Sequence, residues 1–328
     1  MDTHLSRYPL MWGETPLHRL HGLERVTGLK ECWVKRDDLT GIAFGGNKVR
    51  KLEYLLGDAL AKGCDTVITG GSPQSNHARL TAACARRAGL EPWLCFAGKH
   101  MGIQQGNLLL DHILGAEMKT TGVYGSKPLL EEMEKWAEVA RQKGKKPYVV
   151  PVGGSTPIGD YGYKRAWDVL LDQLAQSGAH PESIVLAVGS GGTLAGLLAG
   201  KVLHPAPIKL IGISVWLKAD ELIPEVVRMA NDLLAFLGSD RRLSAAEVHV
   251  EDAYIGKKYG VPSDAGNEAI RLLARSEGLF VDPIYTGKAL AGLLDLFHCG
   301  KIGSRVLFWH TGGTPALFTH AHSFTREG

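Results

Sequence analysis

Short apolar runs alternate along this chain with longer segments of helical periodicity. In Lys48–Lys62 the apolar side chains recur at the spacing that places them on one face of a helix. The same spacing predicts helices over Lys127–Lys143, Asp160–Leu174, Ala219–Leu237 and Asp264–Glu277. Strands are predicted over Cys32–Lys35, Thr66–Thr69, Trp93–Phe96, Tyr148–Pro151, Ile184–Val188, Leu210–Val215, Leu279–Val281 and Val306–Trp309. Because strands that alternate with helices form parallel sheets covered on both faces, the sequence predicts an α/β fold.

The length of 328 residues fits two domains at about 100–200 residues each. We predict a small domain over residues 51–150 and a large domain formed by residues 1–50 together with 151–328. The segment Pro151–Ser155 is interpreted as the crossing back between them. In open parallel sheets, ligands bind beyond the carboxyl ends of the strands, so the loops after strands are the places to look for chemistry.

Composition excludes several classes of function. With 37 basic and 34 acidic residues the net charge is +3, and no basic block suggests nucleic-acid binding. No apolar run reaches the ~20 residues of a membrane span, and the first ten residues contain no apolar signal core. The five cysteines include no C-x-x-C pair and the histidines show no metal-ligand spacing. We therefore expect a cytoplasmic protein with reduced thiols and no metal.

The segment Gly45-Gly46-Asn47-Lys48 places a lysine at the start of a helix. There the helix dipole opposes the charged form of the amine, and a neutral lysine can form a Schiff base. A solvated surface lysine is the plain alternative. A phosphate-binding P-loop is disfavoured, because Asn47 precedes the lysine and Val49 supplies no hydroxyl for magnesium.

The segment Gly70–Arg79 follows a predicted strand and precedes a helical run. Ser75, Asn76 and His77 offer a hydroxyl, an amide and an imidazole where free backbone N–H groups can bind an anion such as a carboxylate. Helix capping by Ser75 or Asn76 is the structural alternative.

The segment Ile184–Gly196 runs from a buried strand through a glycine-rich turn into a helix, which is typical of a phosphate site. A dinucleotide is disfavoured, because Leu194 stands at the third glycine of that fingerprint and the next strand ends at Trp216 rather than at an acid. A monophosphate fits better, and a tight turn without ligand remains the alternative.

Two further strand-to-helix turns are Asp282–Lys288 and Phe308–Pro315. Tyr285 could act as an acid or base and Thr286 as a neutral hydroxyl donor, although a packed tyrosine and a capping threonine would look the same. A Ser-His-Asp hydrolase is disfavoured, because Gly154-Ser155-Thr156 is not a nucleophile elbow.

Taken in order, these segments resemble the tryptophan-synthase-β type of pyridoxal-phosphate enzyme. More closely, they resemble the D-cysteine desulfhydrase and aminocyclopropane-carboxylate deaminase family. The resemblance extends over nearly the whole chain, from Tyr8-Pro9 to Pro315–Phe318. Its most specific motifs are Lys35-Arg36-Asp37-Asp38, Gly45-Gly46-Asn47-Lys48, Gln74-Ser75-Asn76-His77, Tyr259-Gly260-Val261-Pro262, Asp282-Pro283-Ile284-Tyr285 and His310-Thr311-Gly312-Gly313. It implies two open, twisted parallel-sheet domains with the active site between them, and pyridoxal 5'-phosphate as the cofactor.

The resemblance also implies residue roles. Lys48 would hold the cofactor as a Schiff base and later move a proton, and Asn76 would hydrogen-bond the cofactor's phenolic oxygen. The phosphate would be held by Gly189, Ser190, Gly191, Gly192 and Thr193, and Thr286 and Thr311 would complete the cofactor site. The catalytic set would be Lys48, Ser75 and Tyr285. The substrate would contact Ser75, Asn76, His77, Tyr259 and Tyr285, with its carboxylate at Ser75–His77.

Substrate choice in this family depends on two positions. The cyclopropane deaminases carry Glu where this chain has Thr286 and Leu where it has Thr311, so both positions match the desulfhydrases. A neutral hydroxyl leaves the pyridine ring a weaker electron sink than a glutamate would, which suffices for loss of a thiolate. The expected function is a β-eliminating lyase acting on D-cysteine, as a homodimer. The alternatives are L-cysteate sulfo-lyase, a D-serine or β-chloro-D-alanine eliminase, or the cyclopropane deaminase.

Overall fold

The structure is a computed structural model that describes residues 5–325. The outermost ends of the predicted large domain, residues 1–4 and 326–328, lie outside the described range. The strands are β1 (Leu17–Arg19), β2 (Glu31–Arg36), β3 (Thr66–Gly71), β4 (Glu91–Phe96), β5 (Glu117–Thr120), β6 (Pro147–Val150), β7 (Ser183–Val188), β8 (Lys209–Ser214), β9 (His249–Glu251) and β10 (Arg305–His310). They form two separate sheets.

The larger sheet has six strands in the order β1-β2-β10-β7-β8-β9. All neighbouring strands are parallel except β1, which pairs antiparallel with β2. The smaller sheet has four parallel strands in the order β5-β4-β3-β6. The strands of the smaller sheet all fall within the range predicted for the small domain, although the exact division of the chain stays a prediction. The predicted α/β class with two parallel sheets is confirmed.

The α-helices are α1 (His21–Thr27), α2 (Lys48–Ala61), α3 (Asn76–Arg87), α4 (Gly106–Ile113), α5 (Ser126–Gln142), α6 (Pro157–Ser177), α7 (Gly192–Leu203), α8 (Ala219–Phe236), α9 (Asp264–Glu277), α10 (Thr286–His298) and α11 (Pro315–Phe318). Local signals explain several ends. Helix α9 begins after Ser263, whose side chain accepts from the Gly266 N–H, and it stops at Gly278 in the left-handed conformation.

Helices cover both faces of the larger sheet and bury two apolar cores. On one face, α6, α7 and α8 pack with Trp167, Trp309 and Leu186. On the other, α1, α9 and α10 pack with Val34 and Phe308. The smaller sheet is sandwiched in the same way, with α2 and α3 on one side and α5 on the other. Burial on both faces explains why the central strands are continuous apolar runs rather than alternating ones.

One predicted strand is wrong. Leu279–Val281 joins no sheet and belongs to the segment that connects α9 to α10. The run lies beside β10, where the Phe280 carbonyl oxygen is 3.0 Å from His310 Nε2. Because β10 is already paired on both sides, with β2 and with β7, it offers the run no strand partner. The short strands β1, β5 and β9 were not predicted, because three or four half-buried residues carry too weak a pattern.

Candidate functional site

A cavity of about 410 Å³ opens between the two sheets. Its walls come from the loops at the carboxyl ends of β3, β7 and β10, where the parallel topology predicts a ligand site. It gathers most of the predicted site residues: Lys48, Ser75, Asn76, His77, Gly189, Ser190, Gly191, Thr193, Tyr259, Tyr285 and Thr311. Gly192 and Thr286 are the predicted residues that do not line it.

Lys48 is the first residue of α2 and lies on the cavity wall. Its Nζ donates to Asn47 Oδ1 (3.2 Å), and Asn47 Nδ2 in turn donates to Thr193 Oγ1 (3.0 Å). Loss of surrounding water lowers the pKa of the Lys48 amine to about 7, and the nearby Lys51 ammonium acts in the same direction. Close to half of the amine is therefore neutral at neutral pH, the state in which it can attack a carbonyl carbon.

The Ser75–His77 segment begins α3. The Ser75 side chain caps the helix by accepting from the Ala78 N–H, as the alternative interpretation of this segment predicts. Ser75 also lines the cavity. His77 turns its ring beneath the loop, where Nε2 donates to Thr69 Oγ1 (2.8 Å) because that hydroxyl donates to the Val150 carbonyl. Burial, with Lys48 and Lys51 nearby, holds the pKa of His77 well below its usual range. The imidazole is thus neutral and supplies no charge to an anion.

The turn from Gly189 to Thr193 carries β7 into α7. Helix α7 has no side-chain cap, so the N–H groups of its first turn remain free for an anion. Gly191 has φ = 89°, and a Cβ there would collide with Met229. A Cβ on Gly192 would collide with Lys51, Asp160 and Ser155 packed behind the turn. Only glycine allows the turn to lie this close to the side chains behind it at these two positions.

Tyr285 and Tyr259 are neighbouring residues of the cavity wall. Their hydroxyl oxygens are 2.5 Å apart, and Trp216 packs on Tyr259 with ring centroids separated by 5.6 Å. Burial raises the pKa of both phenols, that of Tyr285 well above its usual value. Both tyrosines are therefore protonated throughout the physiological range and act first as proton or hydrogen-bond donors.

Thr286 and Thr311 occupy different places. Thr311 lines the cavity. Thr286 is fully buried, and its hydroxyl donates to Asp282 Oδ1 (2.7 Å) while accepting from the Asp282 N–H (2.8 Å). Asp282 also caps the start of this turn by accepting from the Ile284 and Tyr285 N–H groups. The Thr286 side chain is thus committed to the turn that presents Tyr285.

Sequence reasoning missed a buried ion pair behind the glycine turn. Lys51 Nζ lies 2.7 Å from Asp160 Oδ1, and both side chains are almost completely buried. Burial raises the pKa of Asp160 to about 6, against the opposing effect of Lys51. One signal was available, since Lys51 follows Lys48 by three residues and so shares its helix face. Trp216 and Tyr124 also line the cavity, and nothing local in the sequence marks them.

The part of the chain that the structure describes shows neither a metal site nor a membrane-spanning helix. Within residues 5–325, no group of three histidine, cysteine or acidic side chains is placed to hold a metal ion. Over the same range, no helix combines the length and the apolar character needed to cross a membrane.

Comparison with known proteins gives a family and several relatives. A family model described as pyridoxal-phosphate dependent enzyme matches residues 9–312. A Pyrococcus abyssi (strain GE5 / Orsay) protein provisionally named 1-aminocyclopropane-1-carboxylate deaminase is 42% identical over 324 residues, which cover 97% of this chain and 96% of that protein. A Yersinia pestis (strain Pestoides F) protein named D-cysteine desulfhydrase is 40% identical over 324 residues, covering 97% of each chain.

A solved structure supports the same grouping. A crystal structure described as an ACC deaminase homologue matches with a TM-score of 0.89 at 40% identity, covering 97% of this chain and 95% of that one. The similar relatives thus carry two activity names on one fold.

Proposed function

Since this chain belongs to the pyridoxal-phosphate dependent enzymes and is a lyase of the group named for ACC deaminase and D-cysteine desulfhydrase, we propose that it eliminates hydrogen sulfide from D-cysteine. The overall reaction converts D-cysteine and water to pyruvate, ammonia and hydrogen sulfide. One observation carries the proposal. A single cavity is lined by Lys48, whose amine has a lowered pKa, by the start of α3, which can bind an anion, and by the glycine-rich turn before α7.

The described residues fit pyridoxal phosphate. The free N–H groups of the first turn of α7 suit a phosphate, and Gly191 and Gly192 allow this turn to pack closely on the side chains behind it. Thr193 adds a hydroxyl to this turn, and Asn76 presents an amide to the same cavity. When bound, the cofactor supplies an electron sink for the charge left on the α-carbon.

Lys48 and Tyr285 divide the proton transfers. A large fraction of the Lys48 amine is neutral at neutral pH, because its pKa is lowered to about 7, and the neutral amine can accept the α-proton. Tyr285 stays protonated and donates toward the departing sulfur, with Tyr259 behind it as a hydrogen-bond partner. Both residues line the cavity, and the neutral amine acts as the base while the protonated phenol acts as the acid.

The substrate carboxylate is placed at the start of α3. The backbone N–H groups there and the Ser75 hydroxyl provide donors, and the helix dipole favours a negative charge. His77 contributes through its main chain, because its neutral ring is held by Thr69. The substrate carboxylate is thus oriented by neutral donors, and no positively charged side chain has to be buried beside it.

Thr286 and Thr311 support a sulfur leaving group. Thr311 lines the cavity and Thr286 lies buried against Asp282, and neither carries the charge that would keep a pyridine nitrogen protonated. A bound cofactor would therefore be a moderate electron sink. A thiolate leaves readily enough for such a sink. Opening a cyclopropane ring demands more, which favours D-cysteine over the cyclopropane substrate.

The second candidate is the 1-aminocyclopropane-1-carboxylate deaminase. The observation in its favour is the 42% identity to the Pyrococcus abyssi protein. Its organic product is 2-oxobutanoate, whereas D-cysteine gives pyruvate with sulfide. Cysteate and β-chloro-D-alanine would instead release sulfite and chloride, so product analysis separates all of these substrates.

The test mixes the protein, loaded with pyridoxal phosphate, with D-cysteine, L-cysteine and 1-aminocyclopropane-1-carboxylate separately. We expect equimolar sulfide and pyruvate from D-cysteine. Lys48→Ala should lose the visible absorbance of the bound cofactor and the turnover. The matched control is Lys62→Ala at the exposed end of the same helix, which should keep both. Product from L-cysteine alone, or 2-oxobutanoate without sulfide, would overturn the substrate assignment.

A cytoplasmic homodimer completes the proposal. Cys32, Cys84 and Cys95 are buried free thiols, which suits a reducing compartment. Trp12 and Phe44 expose most of their apolar surface, as residues covered by a second copy would. Light scattering of the purified protein tests the dimer.

A further inference from the structure

We propose that Asn107, at the start of α4, is a positioning residue that, together with Arg79, turns the amide NH₂ of Asn76 into the cavity toward the cofactor's phenolic oxygen. The inference rests on the proposed function, since it assigns Asn76 to pyridoxal phosphate. Asn107 itself does not line the cavity.

The Asn76 oxygen is held from two sides. Asn107 Nδ2 donates to Asn76 Oδ1 at 2.9 Å, and Arg79 Nη1 donates to the same oxygen at 3.3 Å. Asn107 Oδ1 accepts from Arg79 Nη1 at 3.0 Å, so the three side chains form a closed triangle of hydrogen bonds.

Arg79 sets the direction of every bond in this triangle. A guanidinium has donors and no acceptor, so both amide oxygens must face it. Swapping the oxygen and nitrogen of either asparagine would set N–H groups against Arg79. The NH₂ of Asn107 is thereby aimed at Asn76 Oδ1 and at the Gln74 carbonyl (2.8 Å). The NH₂ of Asn76 is left with only the cavity side.

The triangle is rigid because it is buried and anchored at its edges. Arg79 and Asn107 are both fully buried. Arg79 Nη2 donates to the Gly45 carbonyl (2.8 Å), three residues before Lys48, and the Asn107 N–H donates to Gln74 Oε1 (3.0 Å). Within residues 5–325 no atom accepts a hydrogen bond from Asn76 Nδ2, which leaves this donor free for a ligand acceptor.

A purely structural role for Asn107 predicts something different. If Asn107 only attached α4 to the Gln74 loop, its loss would lower stability without changing the electronic state of a bound cofactor. A positioning role requires that removal of the Asn107 donor, the shorter of the two bonds to Asn76 Oδ1, have the same effect on the cofactor as removal of the Asn76 amide.

The experiment compares Asn107→Asp, Asn76→Ala and the double variant, each loaded with pyridoxal phosphate. Asn107→Asp keeps the size and the acceptor facing Arg79 but loses the donor facing Asn76. The readouts are the pH midpoint of the cofactor's visible absorbance and the Kd for pyridoxal phosphate. We expect both single variants to shift the midpoint in the same direction and by similar amounts. The Kd should rise about tenfold, as for one lost hydrogen bond of roughly 1.4 kcal/mol.

The double variant separates positioning from an independent effect. Its pH midpoint should equal that of Asn76→Ala alone, because Asn107 acts only by orienting the Asn76 NH₂ and that group is already absent. Additive shifts, or a wild-type midpoint in Asn107→Asp, would overturn the inference while leaving the proposed function intact. So would an unshifted midpoint in Asn76→Ala. Absence of any cofactor band in the wild-type protein would instead remove the proposed function.

A control and a second variant guard against misfolding. Asn231→Asp on α8 is the control, because Asn231 likewise bonds a neighbouring chain segment on both sides of its amide, away from the cavity. It should leave the midpoint unchanged. If Asn107→Asp does not fold by circular dichroism, Asn107→Ala replaces it and must show the same shift for the inference to stand.

Discussion

At the scale of the residue, the chemistry depends on removing water from groups that would otherwise be solvated. The Lys48 amine has a pKa lowered to about 7, while the Tyr285 phenol has a pKa raised well above its usual value. Both shifts have burial as their largest cause, and both favour the neutral form. One environment therefore prepares a neutral amine and a protonated phenol across a single cavity.

Rebinding of pyridoxal phosphate to the cofactor-free protein should depend on the titration of Lys48. Only the neutral amine reacts, so the rate should rise about tenfold between pH 6 and pH 8 and then level off, given a pKa of about 7. Stopped-flow absorbance at a series of pH values measures this. A rate that keeps climbing without a plateau above pH 8 would mean that the lysine has its ordinary pKa.

Substitutions at Thr311 and Thr286 should differ in their effect on stability. Thr311→Leu changes the cavity wall and should lower D-cysteine turnover while the fold persists. Thr286→Glu should also lower turnover, and in addition it places a second carboxyl beside the buried Asp282, which should lower the melting temperature. Sulfide release and thermal unfolding of both variants test this. Wild-type rates on D-cysteine in both would show that these positions do not set specificity.

At the scale of the element, the β7–α7 turn packs directly on buried side chains. Gly192 rests directly on the Lys51–Asp160 pair, whereas a Cβ on Gly189 would meet only Tyr285, at 3.5 Å. The two glycines belong to the same turn but face different constraints. Packing behind the turn, rather than the motif, sets what each position tolerates.

Gly192→Ala should therefore destabilise the cofactor-free protein by about 1–3 kcal/mol, since the methyl group must displace buried charged side chains. Gly189→Ala serves as the matched comparison and should change stability by less than about 0.5 kcal/mol. Denaturant unfolding of both variants without cofactor gives the answer. Equal stabilities would show that the Lys51–Asp160 pair adjusts at no cost.

At the scale of the whole molecule, one buried carboxylate joins elements that are far apart in the chain. Asp37 accepts from Thr15 Oγ1, from Arg50 on α2, from Tyr163 on α6 and from Trp309 on β10. Burial alone would raise the pKa of Asp37, but Arg50 and the other donors hold it below its usual range. The charge is satisfied only when these elements are all in place.

Asp37→Asn should lower stability by about 3–5 kcal/mol, because it removes the buried partner of the Arg50 charge and leaves only the more exposed Glu14. A carboxyl with a lowered folded pKa stabilises the protein above its unfolded value of about 3.9, so the difference from wild type should shrink as the solution is acidified below that point. Thermal and denaturant unfolding at several pH values measure this. Glu225→Gln, in an exposed pair with Arg228, is the control and should change little.

Local chemistry made much of the molecule predictable from its sequence. Helical periodicity predicted α2, α5, α8 and α9 to within one residue at either end, since amphipathic faces and capping residues lie within the segment itself. The loops that carry Lys48, Ser75–His77 and Gly189–Thr193 are identifiable from the sequence alone, because parallel sheets collect such turns at one edge. The family's cofactor followed from the order of these motifs and is confirmed.

Tertiary structure alone decided how those parts meet. Leu279–Val281 has the composition of a strand, but it lies beside β10, which is already paired with β2 and with β7. The Lys51–Asp160 pair joins α2 to α6, and the Arg79–Asn76–Asn107 triangle joins α3 to α4. These pairings follow from burial, because a buried polar group without a hydrogen-bond partner in the folded chain is energetically costly. The sequence determined which chemical groups the site contains, and only the packing of distant segments decided their protonation and direction.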